Sequence, residues 1–167
     1  MFAVRAACAT MLHARNRAPM RSYLEKIKSL RIQWNQRPLG EDDFYRLCQR
    51  FKITVVEMPL RTNGFYYCVK RRHFIAIDSK LPRVNKLLVM FHEFAHFLMH
   101  SPDTNTTASF HGLGKKTRKE READTFALCA LIPKAWIEGR EMSELIDDGF
   151  GIELIRERSE IYQQLGL

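Results

Sequence analysis

Two histidines four residues apart, with a glutamate beside the first, carry the clearest chemistry in this sequence. His92-Glu93-Phe94-Ala95-His96 is an H-E-x-x-H motif inside a long apolar run. On a helix, residues four apart share a face, so both imidazoles can point at one metal ion. Glu93 sits about 100° round the helix from His92, within reach of a water activated at that metal. Two nitrogen ligands, an open position and a neighbouring carboxylate suit metal-assisted hydrolysis. Glu93 is then the expected catalytic base and proton shuttle. The plainer reading, a structural helix with two buried histidines, loses ground because an acidic motif follows.

That motif is Glu120-Arg121-Glu122-Ala123-Asp124, continuing Thr125-Phe126-Ala127-Leu128. Read as a helix, it puts Glu120, Ala123, Asp124 and Ala127 on one stripe. The alanines would let it lie close against the first helix. Glu120 is the expected third metal ligand, and Glu122, on a different face, is the alternative. Asp124, one turn on from Glu120, is expected to hold the free ring nitrogen of a ligand histidine. By ligand type alone the metal could be zinc, iron or manganese.

Other residues fit less chemistry. His100 lies eight positions after His92 and drifts about 80° from that face, so a supporting or structural role is expected. His111 could donate to an oxyanion, but an exposed loop histidine is the plainer expectation. Tyr66 and Tyr67 alternate on a strand and default to packing. The extended segment from Phe74 to Asp78 could add a substrate strand or be an internal strand. The basic run from Lys115 to Arg121 reads as a solvated face.

Three pieces together, His92 to His100, Glu120 to Ala127, and Leu131-Ile132-Pro133, resemble the ImmA/IrrE family of zinc metallopeptidases in order and spacing. The resemblance runs from about Phe44 to the C-terminus. Ile132-Pro133 departs from the Met-Pro common in the family, one apolar residue replacing another. The resemblance implies zinc, one ion per chain. It also implies a small gluzincin-like endopeptidase. Several members act on transcriptional repressors and often sit beside a helix-turn-helix protein.

The chain has 167 residues, enough for one domain with its own core. Its longest apolar stretch, Val84 to Met99, carries Lys86, His92, Glu93 and His96 and does not read as a membrane span. Cys8, Cys48, Cys68 and Cys129 are scattered without C-x-x-C spacing, which suits reduced thiols in the cytoplasm. Net charge is +8, and half of it lies on Arg5, Arg15, Arg17 and Arg21 in an acid-free N-terminus. Residues 1–20 are expected to form a disordered basic tail, and residues 21–167 the metallopeptidase domain. The remaining charge is mild and argues neither for nucleic-acid binding nor for a membrane surface.

The elements that must position the motifs follow from periodicity. Helices are expected from Arg21 to Trp34 and from Glu41 to Phe51, separated by Pro38-Leu39-Gly40. Strands are expected at Ile53 to Met58, Phe65 to Val69 and His73 to Ile77, the last two forming a hairpin across Lys70-Arg71-Arg72. Val84 to His100 should be a buried central helix, apolar on nearly every face. A polar loop from Thr104 to Lys116 precedes the helix from Lys119 to Leu131. Pro133 then opens a short helix, and Ile152 to Leu165 forms the last one. The expected fold class is α+β: a small, mainly helical, zincin-like domain with a three-stranded sheet and a central H-E-x-x-H helix. The function this favours is a zinc endopeptidase acting on a regulatory protein such as a repressor. The alternative is a non-proteolytic zinc-binding module that acts through protein or nucleic-acid binding.

Overall fold

Acidic residues open the first fully bounded helix because its unpaired N–H groups attract negative charge. Glu41, Asp42 and Asp43 fill the first turn, and Asp43 accepts a hydrogen bond from the Gly40 N–H at 3.0 Å. The computed structural model describes residues 22–100, apart from the His100 side chain, and 117–167. The expected tail, His111 and the His100 side chain lie outside the described residues. The described elements are α1 (22–29), α2 (Glu41–Arg50), β1 (Ile53–Met58), β2 (Gly64–Val69), β3 (Arg72–Asp78), α3 (Arg83–His100), α4 (Arg118–Leu131), α5 (Lys134–Gly139), α6 (Met142–Asp147) and α7 (Ile152–Leu165). The fold is mixed α+β, and none of these helices is long and apolar enough to cross a membrane.

The chain divides into two compact units, with the boundary between Ile32 and Gln33. In the first unit, α1 buries Tyr23, Ile27 and Leu30 at helical spacing. The expected helix from Arg21 to Trp34 is shorter in fact. It ends at residue 29, and Arg31 takes a positive φ of 52° that no α-helix can continue.

In the second unit the strands order as β1-β3-β2, with β1 parallel and β2 antiparallel to β3. This decides between the two readings of one segment. The segment from Phe74 to Asp78 lies in the central strand, paired on both sides, so it has no free edge for a substrate backbone. Among the described residues, β1 and β2 are the edge strands. The expected hairpin is present, and its turn residues Lys70 and Arg71 have φ of 47° and 63°. Two successive positive φ values match the right-handed twist of a two-residue hairpin, where Asn-Gly is usually preferred.

Helices α2 and α3 cover one face of the sheet. That face carries Ile75 and Ile77, both fully buried. Phe44, Phe91, Phe94 and Phe126 are also fully buried, with ring centroids 5.9 to 6.5 Å apart from one to the next. Each such ring contributes roughly 1.5–3 kcal/mol by leaving water. The core therefore sits between sheet and α4, with α3 as its centre. Short helix α6 was not expected from periodicity. It opens with Glu141, whose N–H is bonded by Glu144, and buries only Leu145.

Candidate metal centre

Helix α3 is buried where it carries the motif. Glu93 is fully buried, and His92 and His96 are 6% and 4% exposed. The two Nε2 atoms stand 3.0 Å apart. This follows from spacing: side chains four apart on a helix lie one above the other.

Helix α4 lies against α3, and Ala123 and Ala127, on the same stripe as Glu120 and Asp124, are fully buried. Small side chains permit this close approach. Thr117 caps α4 by accepting the Glu120 N–H at 3.2 Å. The Glu120 carboxylate reaches the histidines, with Oε2 3.4 Å from His92 Nε2 and Oε1 3.5 Å from His96 Nε2. Donor atoms of His92, His96 and Glu120 all lie within 4.8 Å of one another, close enough to hold a metal ion. One turn further, Asp124 Oδ1 stands 2.9 Å from His92 Nδ1. A hydrogen bond there places the proton on Nδ1 and turns the Nε2 lone pair toward Glu120. Glu122, the alternative ligand, instead accepts a hydrogen bond from Arg118 Nε at 2.8 Å.

Electrostatics fit a cation. Burial disfavours a charged His92, yet its pKa is pushed up to about 9 by the bond to Asp124, then by Glu120, and by the charge of Glu93. Whatever positive charge enters here meets carboxylates on two helices. Two imidazole nitrogens and one carboxylate, with a carboxylate behind one ring, form a donor set that zinc accepts.

The strand beside the site constrains it. A Cβ on Gly64 would stand 2.5 Å from Val89 Cγ1 and 2.8 Å from the Ala76 carbonyl oxygen, with Glu93 Cγ next at 3.7 Å. Glycine is needed because β2 begins flush against α3 beside Glu93. The sequence marks Asn63-Gly64 only as a turn, and the close approach is not visible there. Tyr66 turns toward α3: it is buried, bonded to His73 Nδ1 at 2.9 Å and edge-on to Phe97. Tyr67 faces the other side and stacks on Phe74.

Residues 48–145 match the Peptidase M78 family, described as an IrrE N-terminal-like domain. The chain belongs to this family. Its matched span contains His92, Glu93, His96, Glu120 and Asp124, together with the sheet. The chain is also similar to the "Uncharacterized immunity region protein 2" of Bacillus phage phi105, at 30% identity over 95 residues. That match covers 56% of this chain and 60% of the relative, less than two thirds of its length. No solved structure matches this chain significantly. A Peptidase M78 domain with a His-His-Glu group of this geometry is metallopeptidase-like in family and in donor set.

Proposed function

We propose that this protein is a zinc-dependent endopeptidase that cuts a regulatory protein, such as a helix-turn-helix transcriptional repressor, in the cytoplasm. The observation that carries this reading is the convergence of His92, His96 and Glu120 beside the buried Glu93. His92 and His96 would hold the zinc through Nε2, and Glu120 through its carboxylate. Zinc held there supplies Lewis acidity, polarising the scissile carbonyl and acidifying water. Glu93 removes the proton of the attacking water and returns it to the leaving amine. Asp124 fixes the ring of His92 and raises its basicity. Strand β2, an edge strand among the described residues that starts beside Glu93, suits an extended peptide adding as a strand. The substrate class rests on family membership and on a relative named for a phage immunity region.

The test uses wild type and Glu93→Gln, incubated with a candidate repressor. Glutamine keeps size and polarity but cannot take the proton. The expected result is a defined cut by wild type and a loss of roughly 10²-fold or more in the variant, with zinc retained. A wild type that cuts nothing, with Glu93→Gln still filling the cellular role, would replace this reading with a zinc-binding regulatory module.

A further inference from the structure

The sheet has a second face, and its composition differs from the core. Strand alternation puts Thr54, Val56 and Met58 of β1, Phe65, Tyr67 and Val69 of β2, and Arg72, Phe74 and Ala76 of β3 on it. Helices α2 and α3 occupy the opposite face: Glu57 there meets Tyr45 and Lys86. Val56, Met58 and Val69 are 37%, 46% and 46% exposed. Tyr67 and Phe74 stack nearly parallel, with ring centroids 4.8 Å apart at 10°, and Phe65 lies 5.6 Å from Tyr67. Beside this pair a shallow groove of about 540 Å³ is lined by Tyr67, Val69, Lys70, Arg72 and Phe74.

Charge is one-sided here. Lys70, Arg71 and Arg72 are consecutive and exposed, and no described carboxylate forms an ion pair with them. Glu57 is turned to the helix face, and Asp78 is at the far end of β3, where it accepts the Leu60 and Lys80 N–H groups. Lysine and arginine also occupy turn positions with positive φ, where Asn-Gly would be easier.

We propose that this face binds single-stranded nucleic acid, with bases on the Tyr67–Phe74 pair and Phe65, and phosphates on Lys70, Arg71 and Arg72. Net charge by itself gives no such argument; the placement does. Cations alone would serve an acidic peptide equally well. The part-exposed aromatic rings of Phe65, Tyr67 and Phe74 on the same sheet face favour a strand of bases, because every base has a π-face to stack. The surface is separate from the His92–His96–Glu120 group and does not depend on the peptidase reading.

The test is fluorescence anisotropy of a labelled oligothymidylate of about fifteen nucleotides with the full chain, at about 50 and 200 mM salt. Two double variants are compared, Tyr67→Leu with Phe74→Leu, and Lys70→Ser with Arg72→Ser. A thermal melt checks each fold, and the exposed Lys70/Arg72 pair keeps the test open should the aromatic variant fail to fold. Expected are saturable binding that weakens with salt, about tenfold or greater weakening in the aromatic variant, and a flatter salt dependence in the cationic one. No binding by wild type, or binding that neither variant alters, overturns the proposal. So does polyglutamate binding as tightly as the oligonucleotide and responding to the same variants, which would make the face a protein-docking surface.

Discussion

Helix α4 carries a buried polar cluster at each end, and the two differ in kind. At its N-terminal end, Glu120 reaches both imidazoles and Asp124 bonds the ring of His92, so atoms that can ligate a metal converge from two helices. At its C-terminal end the fully buried Arg158 donates through Nε to the Ile132 carbonyl at 2.7 Å and through Nη2 to Asn35 Oδ1 at 2.9 Å. Asn35 Oδ1 also accepts the Lys134 N–H. Burial lowers the Arg158 pKa, but the carbonyl end of α4 favours a cation. The second cluster supplies its own positive charge and ties α4 to α7 and to the chain at Asn35. The first instead gathers two imidazole nitrogens and a carboxylate close enough to hold one metal ion. Buried polar groups alone do not mark a functional site; ligand atoms from separate helices converging within reach of one ion do.

Metal analysis tests this contrast most strongly. His92→Ala, His96→Ala and Glu120→Ala should each abolish the expected zinc of about one ion per chain, while Glu122→Ala keeps it. Full zinc in Glu120→Ala with loss in Glu122→Ala would dissolve the contrast and move the third ligand. At the other end, Arg158→Ala should cost about 2–4 kcal/mol, read by denaturant or thermal unfolding, because it opens a cavity and strands the Ile132 and Asn35 acceptors. Zinc per folded chain should stay unchanged. If zinc falls instead, the two ends of α4 are coupled rather than independent.

Smaller changes sharpen the picture. Gly64→Ala should destabilise by about 1–3 kcal/mol through its contact with Val89, and Val89→Ala in the same chain should recover part of the loss. Equal stability with and without the alanine would show that β2 does not lie flush on α3. The smallest effect is expected from a surface cluster, where Asp43 accepts from Arg37, Arg46 and the Gly40 N–H. The Arg37 bond, with help from Gly40 and Arg46, holds the Asp43 carboxyl well below the usual carboxylate range. Its contribution is then fully present above about pH 4 and is lost as pH falls toward the lowered folded value. The melting-temperature gap between wild type and Asp43→Asn should therefore narrow from pH 7 to pH 3. A gap that stays constant would mean that Asp43 acts through geometry rather than charge.

How much of this was legible beforehand depended on whether neighbours in sequence are neighbours in space. Helices α2, α3, α4 and α7 and the three strands follow from local periodicity to within a residue or two. Within α3 the placement of His92 and His96 follows from helical spacing, and the facing of Glu120 and Asp124 follows from a small-residue stripe. Helix α6 was missed because six residues with one buried side chain give no periodic signal. The early stop of α1 was missed because Ile32 continues an apolar pattern that the backbone at Arg31 abandons.

The sequence by itself determined the chemistry on offer: two imidazoles one turn apart, a carboxylate beside them, and an acidic stripe on a second helix. Those are short-range facts, set by 3.6 residues per turn. The alanine stripe favoured Glu120 over Glu122, and the tertiary structure brings Glu120 to the histidines while Glu122 meets Arg118. Only the tertiary structure decided that β3 is central and β2 an edge, because strand order depends on pairings that no local pattern encodes. The roles of Gly64, Arg158 and the Tyr67–Phe74 face belong to the same class. Each depends on what stands opposite it, and that partner is distant in the chain.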